Sequence, residues 1–367
     1  MINPSDLLCD LIRIRSVSTD IAEVNRCVAF LRAKLEAEGL FCQTETFAEG
    51  RQALWASNID GKRPDLLLVV HLDVVPVDSE SQFEPAIDGD TISGRGSLDC
   101  KGNAVAAITA LREVAADAAS GASIGIIFTT DEEIGGDTTR GMVERGYGAS
   151  KAALVYDCGA KSNIFVAQKG ILELRLVAEG KGGHSSCPWN FDNPIYTLME
   201  ALARLRAHWD AKYPHVAGQD WHNSLAPCML SAGKAANQIP DTATATINIR
   251  FIETSTPEEI VEEVRQVTGL KVEQFAFSPC CFFPPDNPTI DVLSEVISES
   301  FGVAEVKRYR MSGGTDARHL VSLGVPVAIT GIAGSGPHQS DEHASLSSIG
   351  RFAHIAAEFA RRLAKNK

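Results

Sequence analysis

The sequence predicts an α/β protein in which an α+β domain is inserted into a catalytic domain with a mainly parallel sheet. In the first half of the chain, short apolar runs alternate with helical segments, which is typical of parallel strands covered by helices. After about residue 170 the pattern becomes period-two alternation, as in ILELRLVA and TATATINIRF, which indicates strands with one solvated face. Helix–strand alternation resumes after the stiff connector PPDNP. We therefore expect a catalytic domain of residues 1–170 and 286–367, with residues 171–285 inserted.

The elements of the catalytic domain follow from periodicity and end signals. The segment 20–38 has apolar residues at helical spacing, Asp20 with Glu23 resembles a capping box, and Gly39 is a plausible stop. The run 66–75 reads as a buried strand, and residues 101–119 form an Ala-rich helix. Further strands are expected at 123–130, 153–157 and 325–330, the first followed by a short helix and the last by a long C-terminal helix.

The inserted domain shows three period-two or β-rich segments and two amphipathic ones. Helices are expected at about 194–213 and 257–267, and strands at 171–178, 242–251 and 272–277. Two helices covering one face of a four-stranded antiparallel sheet would bury the apolar side of such strands. The inserted segment is therefore predicted to be a small α+β domain.

Length and composition restrict the function. A chain of 367 residues favours two domains, and 44% hydrophobic with 22% charged residues is ordinary for a globular protein. A net charge of −13 without a Lys/Arg cluster argues against nucleic-acid binding. The nine cysteines are an odd number without dense spacing and include no CxxC pair, which favours reduced thiols. With neither a signal peptide nor a membrane span in the sequence, we expect a cytoplasmic protein.

Residues of the types that bind metals follow the predicted strands of the catalytic domain. In an open α/β sheet, ligands bind at the carboxyl ends of the strands. Imidazoles and carboxylates that converge there suggest divalent, zinc-like metals, and their number suggests two ions. The residues concerned are His71, Asp99, Glu132, Glu133, Asp157 and His338.

Each of these residues also has an ordinary structural interpretation. His71 fits a hydrogen-bonded core histidine, Asp99 fits a helix N-cap, and His343 competes with His338 for a ligand role. The run Asp131-Glu132-Glu133 fits a solvated acidic turn, although three consecutive acids after a buried strand repel one another unless a cation neutralises them. The Gly-rich segments SGRGSLDCKG and GIAGSG lack the spacing and the following helix of nucleotide-binding loops.

The ordered set of motifs resembles a known family over essentially the whole chain. HLDVVP, GRGSLDCKG, TTDEEIGG, the acid in VYDCG, GGHSS, NQIPD, SGGTDAR and HQSDE occur in this order. The same order is found in the dinuclear zinc aminoacylases, acetylornithine deacetylases, succinyl-diaminopimelate desuccinylases and glutamate carboxypeptidases. The resemblance implies a zinc-exopeptidase-like catalytic domain with an inserted lid, through which many members dimerise.

The resemblance also implies the metal ligands. Asp99 resembles the carboxylate that bridges the two metals. His71 and Asp157 resemble the remaining ligands of one metal, and Glu133 and His338 resemble those of the other. The ions are expected to be zinc, with cobalt or manganese as alternatives.

The remaining catalytic and substrate-binding roles follow in the same way. Asp73 resembles the acid that orients the ligand histidine, and Glu132 resembles the general base. His184 resembles the histidine that reaches the partner's active site in dimers, although by itself it reads as a loop residue. Asn237 and Arg250 resemble lid residues that contact a substrate carbonyl or carboxylate, and a pocket-lining loop is implied for Gly313, Gly314 and Thr315.

The acid at position 157 departs from the commonest family pattern. Deacetylases and carboxypeptidases of the family usually have Glu there, whereas Asp is more typical of aminopeptidases and dipeptidases. We therefore expect an exopeptidase or dipeptidase that acts on a small peptide, with an N-acyl-amino-acid deacylase as the alternative. A non-catalytic metal-binding protein is disfavoured by the presence of Glu132, which has no ligand role. A homodimer through the inserted domain is also expected.

Overall fold

The computed structural model describes residues 3–157 and 161–365, which form two compact units. The first unit comprises Met1–Val166, Phe283–Tyr309 and Thr315–Lys367, and the second comprises Ala167–Phe282 and Arg310–Gly314. The unit boundaries lie a few residues before the predicted positions 170 and 285, and the second unit also includes a short later segment. Cys158 and Gly159 of the VYDCG motif lie outside the described residues.

The helices and strands are numbered along the chain. The helices are α1 (Pro4–Arg13), α2 (Ile21–Glu36), α3 (Lys101–Ala116), α4 (Asp137–Glu144), α5 (Pro194–Lys212), α6 (Pro257–Thr268), α7 (Pro288–Phe301) and α8 (Leu346–Lys365). The strands are β1 (Phe41–Thr46), β2 (Gln52–Ser57), β3 (Leu66–His71), β4 (Ala86–Asp88), β5 (Thr91–Ser93), β6 (Ile124–Thr129), β7 (Ala152–Tyr156), β8 (Ile164–Gln168), β9 (Gly170–Glu179), β10 (Gly183–His184), β11 (Ser224–Ala232), β12 (Gln238–Ile239), β13 (Thr242–Phe251), β14 (Lys271–Ser278), β15 (Cys281–Phe282), β16 (Arg308–Met311), β17 (Val327–Thr330), β18 (Gly334–Ser335) and β19 (His343–Ser345). Within the described residues, no helix is both long and apolar enough to cross a membrane.

The main sheet of the first unit has a parallel centre. Strands β6, β3, β7 and β17 run parallel in that order, with antiparallel pairing to β2 and β1 on one side and to β8 on the other. The register aligns their carboxyl ends, since His71 pairs with Thr129 and Thr330 pairs with Tyr156. The predicted α/β class is confirmed, and the antiparallel flanks make the sheet mixed.

Burial on both faces explains why the central strands are uniformly apolar. Leu66, Leu68 and Val70 of β3 belong to one large core that also contains side chains of α1, α2, α3, α7 and α8. Leu67 and Val69 point to the opposite face and are also completely buried. A strand covered on both faces has no polar alternation, so its apolar run ends where it leaves the sheet.

Two details of the first unit differ from the sequence prediction. The strand predicted at 66–75 ends at His71, because the amide of Val74 already bonds to the carbonyl of Ser16 in another segment. Asp20 caps α2, because its side chain accepts a hydrogen bond from the Glu23 amide. The carboxylate of Glu23 binds Arg26 instead of the Asp20 amide, so the second hydrogen bond of the predicted capping box is not formed.

A small antiparallel sheet in the first unit was not predicted. Its strand order is β18-β19-β5-β4, and it pairs His343 with Ser93. The strands have two or three residues each, which is too short for a period-two pattern to appear in the sequence. The sheet joins the segment that precedes Asp99 to the segment that follows His338.

The second unit is a four-stranded antiparallel sheet with two helices. The strand order is β11-β13-β9-β14, and α5 and α6 share a core with the sheet. Leu172, Leu174 and Leu176 of β9 are buried in this core while the residues between them face outwards, as the alternation predicts. Strand β11 was not located from the sequence, because Pro227 interrupts it and most of its residues are exposed.

Candidate metal centre and active site

Four of the six predicted metal-type residues come from the carboxyl ends of the parallel strands. His71 is the last residue of β3, Glu132 and Glu133 follow β6, and Asp157 follows β7. Because these strands are neighbours with aligned ends, their terminal side chains meet at one edge of the sheet. The topology therefore explains how ligands far apart in sequence converge.

Asp99 lies between two histidines. Its Oδ1 is 2.9 Å from Nε2 of His71, and its Oδ2 is 3.2 Å from Nε2 of His338. His338 Nε2 is also 3.1 Å from Oε1 of Glu133. A carboxylate whose two oxygens face two different imidazoles is arranged as a bridging ligand would be.

Potential ligand atoms form three groups among the described residues. Asp99, Glu133 and His338 form one group, and His71, Glu132 and Asp157 form another, with all ligand atoms of a group within 4.8 Å of one another. The third group joins His71 and Asp99 to Cys100, a residue that the sequence reasoning did not single out. The only signal for Cys100 was its place beside Asp99 in LDCKG.

Two ordinary interpretations of these residues do not match the structure, and the alternative ligand His343 lies elsewhere. Asp99 does not cap α3, because Cys100 occupies the N-cap position and no side chain caps there. The acidic run is not a solvated turn, since Asp131 is buried and accepts hydrogen bonds from the amide and hydroxyl of Thr138. His343 lies in strand β19 with its Nδ1 2.9 Å from the Asp341 carbonyl, outside the ligand groups of the described residues.

Asp73 contacts both His71 and the acidic turn. The backbone carbonyl of Asp73 is 2.9 Å from Nδ1 of His71, whereas its carboxylate is 3.5 Å away from that atom. The carboxylate accepts the Ser18 hydroxyl and the backbone amides of Glu132 and Glu133. The carbonyl is thus the closer partner of the imidazole, and the buried carboxylate holds the turn that carries two acids.

Burial and crowding raise the pKa values of the acids in the cluster. Burial, together with the nearby Asp99 carboxylate, raises the pKa of Asp157 to about 7. Burial, Asp157 and Asp316 together raise the pKa of Glu132 well above its ordinary value. Burial also raises the pKa of Glu133. These carboxylates need protons or cations to offset their mutual repulsion.

The histidines show the complementary shifts. Burial opposes the effect, but Cys100, Asp73 and Asp99 raise the pKa of His71 well above its ordinary value. The hydrogen bond with Asp99 raises the pKa of His338 to about 9. Burial works against ionisation of Asp99, yet its bonds to the two histidines hold its pKa below the usual range.

The donor set fits divalent metal ions. Two imidazoles and four carboxylates converge in a largely buried cluster, and metal ions replace protons on groups of this kind. Nitrogen and oxygen donors in this combination suit zinc, and also cobalt or manganese.

Arg318 and Asp316 also lie beside the acidic turn, and the sequence reasoning gave them no role. Nη2 of Arg318 is 4.0 Å from Oε1 of Glu132, and both side chains are mostly buried. Asp316 accepts the hydroxyls of Thr129 and Thr139 and is also buried. Both residues belong to the SGGTDAR motif, and their place in it is the sequence signal for them.

The second unit brings His184 and Asn237 together. Strands β10 and β12 pair His184 with Gln238, and the amide of Ser185 bonds to the carbonyl of Asn237. The motifs GGHSS and NQIPD, more than 50 residues apart in sequence, therefore form one antiparallel pair.

The other predicted substrate residues lie in different places. Arg250 is near the end of β13, where its Nε donates to Oδ1 of Asn248 at 3.2 Å. Gly313 and Gly314 belong to the second unit, and Thr315 belongs to the first. Thr315 is buried and accepts the Ala317 amide at the start of a 3-10 helix, which is a structural contact.

Comparisons with known proteins identify the family. Residues 67–362 match the model of peptidase family M20/M25/M40. The chain is 29% identical over 379 residues to the succinyl-diaminopimelate desuccinylase of Gluconacetobacter diazotrophicus, with 96% of this chain and 95% of the relative covered.

Solved structures share the fold. The M20 family metallo-carboxypeptidase Sso-CP2 from Sulfolobus solfataricus superimposes with a TM-score of 0.79 at 17% identity over 100% of both chains. The YXEP protein of Bacillus subtilis, a dinuclear metal binding peptidase, has a TM-score of 0.73 at 17% identity, over 99% of this chain and 98% of that one. The fold and the family resemblance predicted from the sequence are confirmed, and the chain belongs to peptidase family M20/M25/M40 as a hydrolytic enzyme.

Proposed function

We propose that this enzyme uses two metal ions to cleave an amide bond in a small peptide or an N-acyl amino acid. The observation that carries the proposal is the position of Asp99, whose two oxygens face His71 and His338 separately. Such a carboxylate is suited to joining two cations, and the surrounding surplus of buried acids supplies the reason to bind them.

The ligands divide into two sets that share Asp99. His71 and Asp157 would complete one site, and Glu133 and His338 would complete the other. Zinc is the proposed ion, and cobalt and manganese are the alternatives. When bound, such ions polarise a carbonyl group and lower the pKa of water.

Glu132 is proposed as the general base. Its side chain lies within the buried cluster, and its backbone amide donates to the Asp73 carboxylate at 3.2 Å. A carboxylate held in this way takes a proton from water and passes it to the leaving amide nitrogen. Asp73 supports this step by fixing the turn, and its carbonyl orients His71.

Replacing Glu132 by alanine tests the general base. We expect Glu132→Ala to lose at least about 100-fold in amide hydrolysis, the usual contribution of a general base. Metal content, measured by elemental analysis, should stay near two ions per chain. In the matched variant Glu133→Ala, metal content itself should fall. Wild-type turnover in Glu132→Ala would contradict the assignment.

His184 is proposed to stabilise the developing oxyanion. The Ser186 amide donates to Nδ1 of His184 at 3.2 Å, and the Ser186 hydroxyl is 2.8 Å from the same atom. Because a backbone amide only donates, a neutral His184 ring must carry its proton on Nε2. The exposed side chain therefore presents an N–H donor, as the role requires.

Replacing His184 tests this role. We expect His184→Ala to lower kcat by about 100- to 1,000-fold, as for loss of one oxyanion donor, without loss of metal. His215→Ala, a change of another exposed histidine of the same unit, is the control and should leave kcat unchanged. Equal kinetics in the His184 and His215 variants would reject the proposal.

The substrate is proposed to be small and to carry a carboxylate. Arg250 would bind that carboxylate through its guanidinium, Asn237 would contact the carbonyl, and Gly313, Gly314 and Thr315 would line the pocket. The short acid Asp157 supports an exopeptidase or dipeptidase. Similarity to desuccinylases supports the second candidate, an N-acyl-amino-acid deacylase.

A substrate screen distinguishes the two candidates. Enzyme loaded with zinc, cobalt or manganese should be assayed on dipeptides, tripeptides, and N-acetyl and N-succinyl amino acids. Turnover of peptides with a free amino terminus would support the exopeptidase, and turnover limited to N-acyl substrates would support the deacylase. Activity that survives complete metal removal would contradict the mechanism.

A homodimer through the second unit is also proposed. Strand β11 is at the edge of its sheet, and Met229 and Leu230 are 68% and 67% exposed. An edge strand with large exposed apolar side chains favours pairing with another strand. A second copy of the chain presents the same strand, so the two can pair about a twofold axis.

Sedimentation velocity tests the dimer. Wild-type enzyme should sediment as two chains, and Leu230→Asp should sediment as one because a charge replaces an apolar contact. Val216→Asp changes an exposed apolar residue elsewhere in the same unit and should remain dimeric. A monomeric wild type, or a dimeric Leu230 variant, would contradict the interface.

A cytoplasmic location is proposed as well. The cysteines of the described residues are all free thiols, and Cys27, Cys100 and Cys281 are buried. Free buried thiols are typical of proteins from reducing compartments.

A further inference from the structure

A buried ion pair contacts the backbone of two candidate metal ligands, Asp99 and His338. Nη1 of Arg95 is 2.7 Å from Oε2 of Glu342, and the two side chains are only 2% and 1% exposed. Among the described residues, no group accepts a hydrogen bond from Arg95 Nε, although that atom is buried. A buried ion pair that leaves a donor without an acceptor contributes little to the free energy of unfolding, so stability alone does not account for it.

Glu342 holds the backbone turn that leads into Asp99. Its Oε1 accepts the amides of Leu98 and Asp99, each at 3.0 Å, and its Oε2 accepts the amide of Gly96 at 3.1 Å. One carboxylate therefore receives three backbone amides in addition to Arg95. Charge-assisted hydrogen bonds of this kind are stronger than neutral ones. The Asp99 amide is among them, so Glu342 fixes the backbone from which the Asp99 side chain extends.

Arg95 extends the contact to the loop of His338. Its Nη2 donates to the backbone carbonyl of His338 at 3.2 Å. His338 has a φ of 64°, a left-handed conformation that non-glycine residues adopt only when their surroundings hold them there. Glu342 belongs to the same loop, and its carbonyl accepts the amide of Gly94. The ion pair thus joins the two backbone segments that carry Asp99 and His338.

We propose that Glu342 and Arg95 are positioning residues that hold Asp99 and His338 together as ligands of one metal ion. The proposal rests on the metal centre of the proposed function. Oδ2 of Asp99 is 3.2 Å from Nε2 of His338, and two side chains on separate loops stay at that distance only if their backbones are held. Partners of this kind outside the ligand set change metal affinity by about 10- to 100-fold when mutated.

Metal titration of Glu342→Gln tests the proposal. Glutamine keeps the shape of glutamate, but its amide group cannot accept from Arg95 and the backbone amides together. Isothermal titration of metal-free protein with zinc should show two binding steps in the wild type. In Glu342→Gln, the step of the site that contains His338 should weaken by about 10- to 100-fold, because both Asp99 and His338 lose their support. The other step should weaken less, because that site shares only Asp99. Excess zinc should restore kcat, because the catalytic groups are intact.

A matched control separates positioning from general loss of an ion pair. Glu38→Gln removes the partly buried pair between Arg112 and Glu38, which contacts none of the candidate ligands. Both zinc-binding steps should remain as in the wild type. Unchanged zinc affinity in Glu342→Gln, or equal weakening of both steps, would overturn the proposal. A wild-type chain that binds fewer than two ions would instead contradict the proposed function.

Arg95→Lys provides the second variant in case Glu342→Gln does not fold. Lysine keeps the positive charge beside Glu342 but lacks the planar fork that reaches the His338 carbonyl at the same time. We expect one zinc-binding step to weaken by about 10-fold, with the circular dichroism spectrum of the wild type. Wild-type affinity for both ions in this folded variant would overturn the proposal.

Discussion

The carboxylate of Asp99 between two imidazoles is the contact on which the rest of the site depends. Its two oxygens face His71 and His338, and these residues come from a strand end and from a loop more than 260 residues later in the chain. Four carboxylates share the cluster, and burial and nearby acids raise the pKa values of three of them, Glu132, Glu133 and Asp157. An arrangement of this kind is stable with all groups ionised only when cations are bound.

The backbone that carries these side chains is held in the same way at two places. Asp73 accepts the amides of Glu132 and Glu133, and Glu342 accepts the amides of Leu98 and Asp99. Both carboxylates are buried, and each binds backbone amides of a turn that lies outside the sheet. The parallel strands bring the segments to one edge, and the buried carboxylates then set the direction of the turns.

Much of the fold could be predicted from the sequence, because the spacing of apolar residues shows which faces of helices and strands are buried. The strand at Thr242–Phe251 has the predicted limits, and α5 and α6 end within one residue of their predicted positions. Strand β11 was missed because an exposed edge strand needs no apolar alternation. The small sheet around β19 was missed because its strands are too short to show a period.

The candidate ligands could be predicted from the sequence for a different reason. His71, Glu132 and Asp157 follow apolar strands, and parallel topology brings strand ends together. Arg318 and Asp316 received no role, because a charged residue in a loop gives no sign of burial until its neighbours are known. The backbone carbonyl of Asp73 as the nearer partner of His71 was equally hidden, since alternation along a strand describes side chains only.

By itself, the sequence determined the α/β class, the inserted α+β segment and the set of metal-type residues, because burial periodicity and residue chemistry are local properties. The family resemblance was carried by the ordered motifs. Only the tertiary structure decided which oxygen of Asp99 faces which histidine, which carboxylates hold the turns, and that Arg95 and Glu342 lie behind the cluster. These contacts join residues up to 247 positions apart. Their geometry depends on the packing of the whole unit, which no local pattern contains.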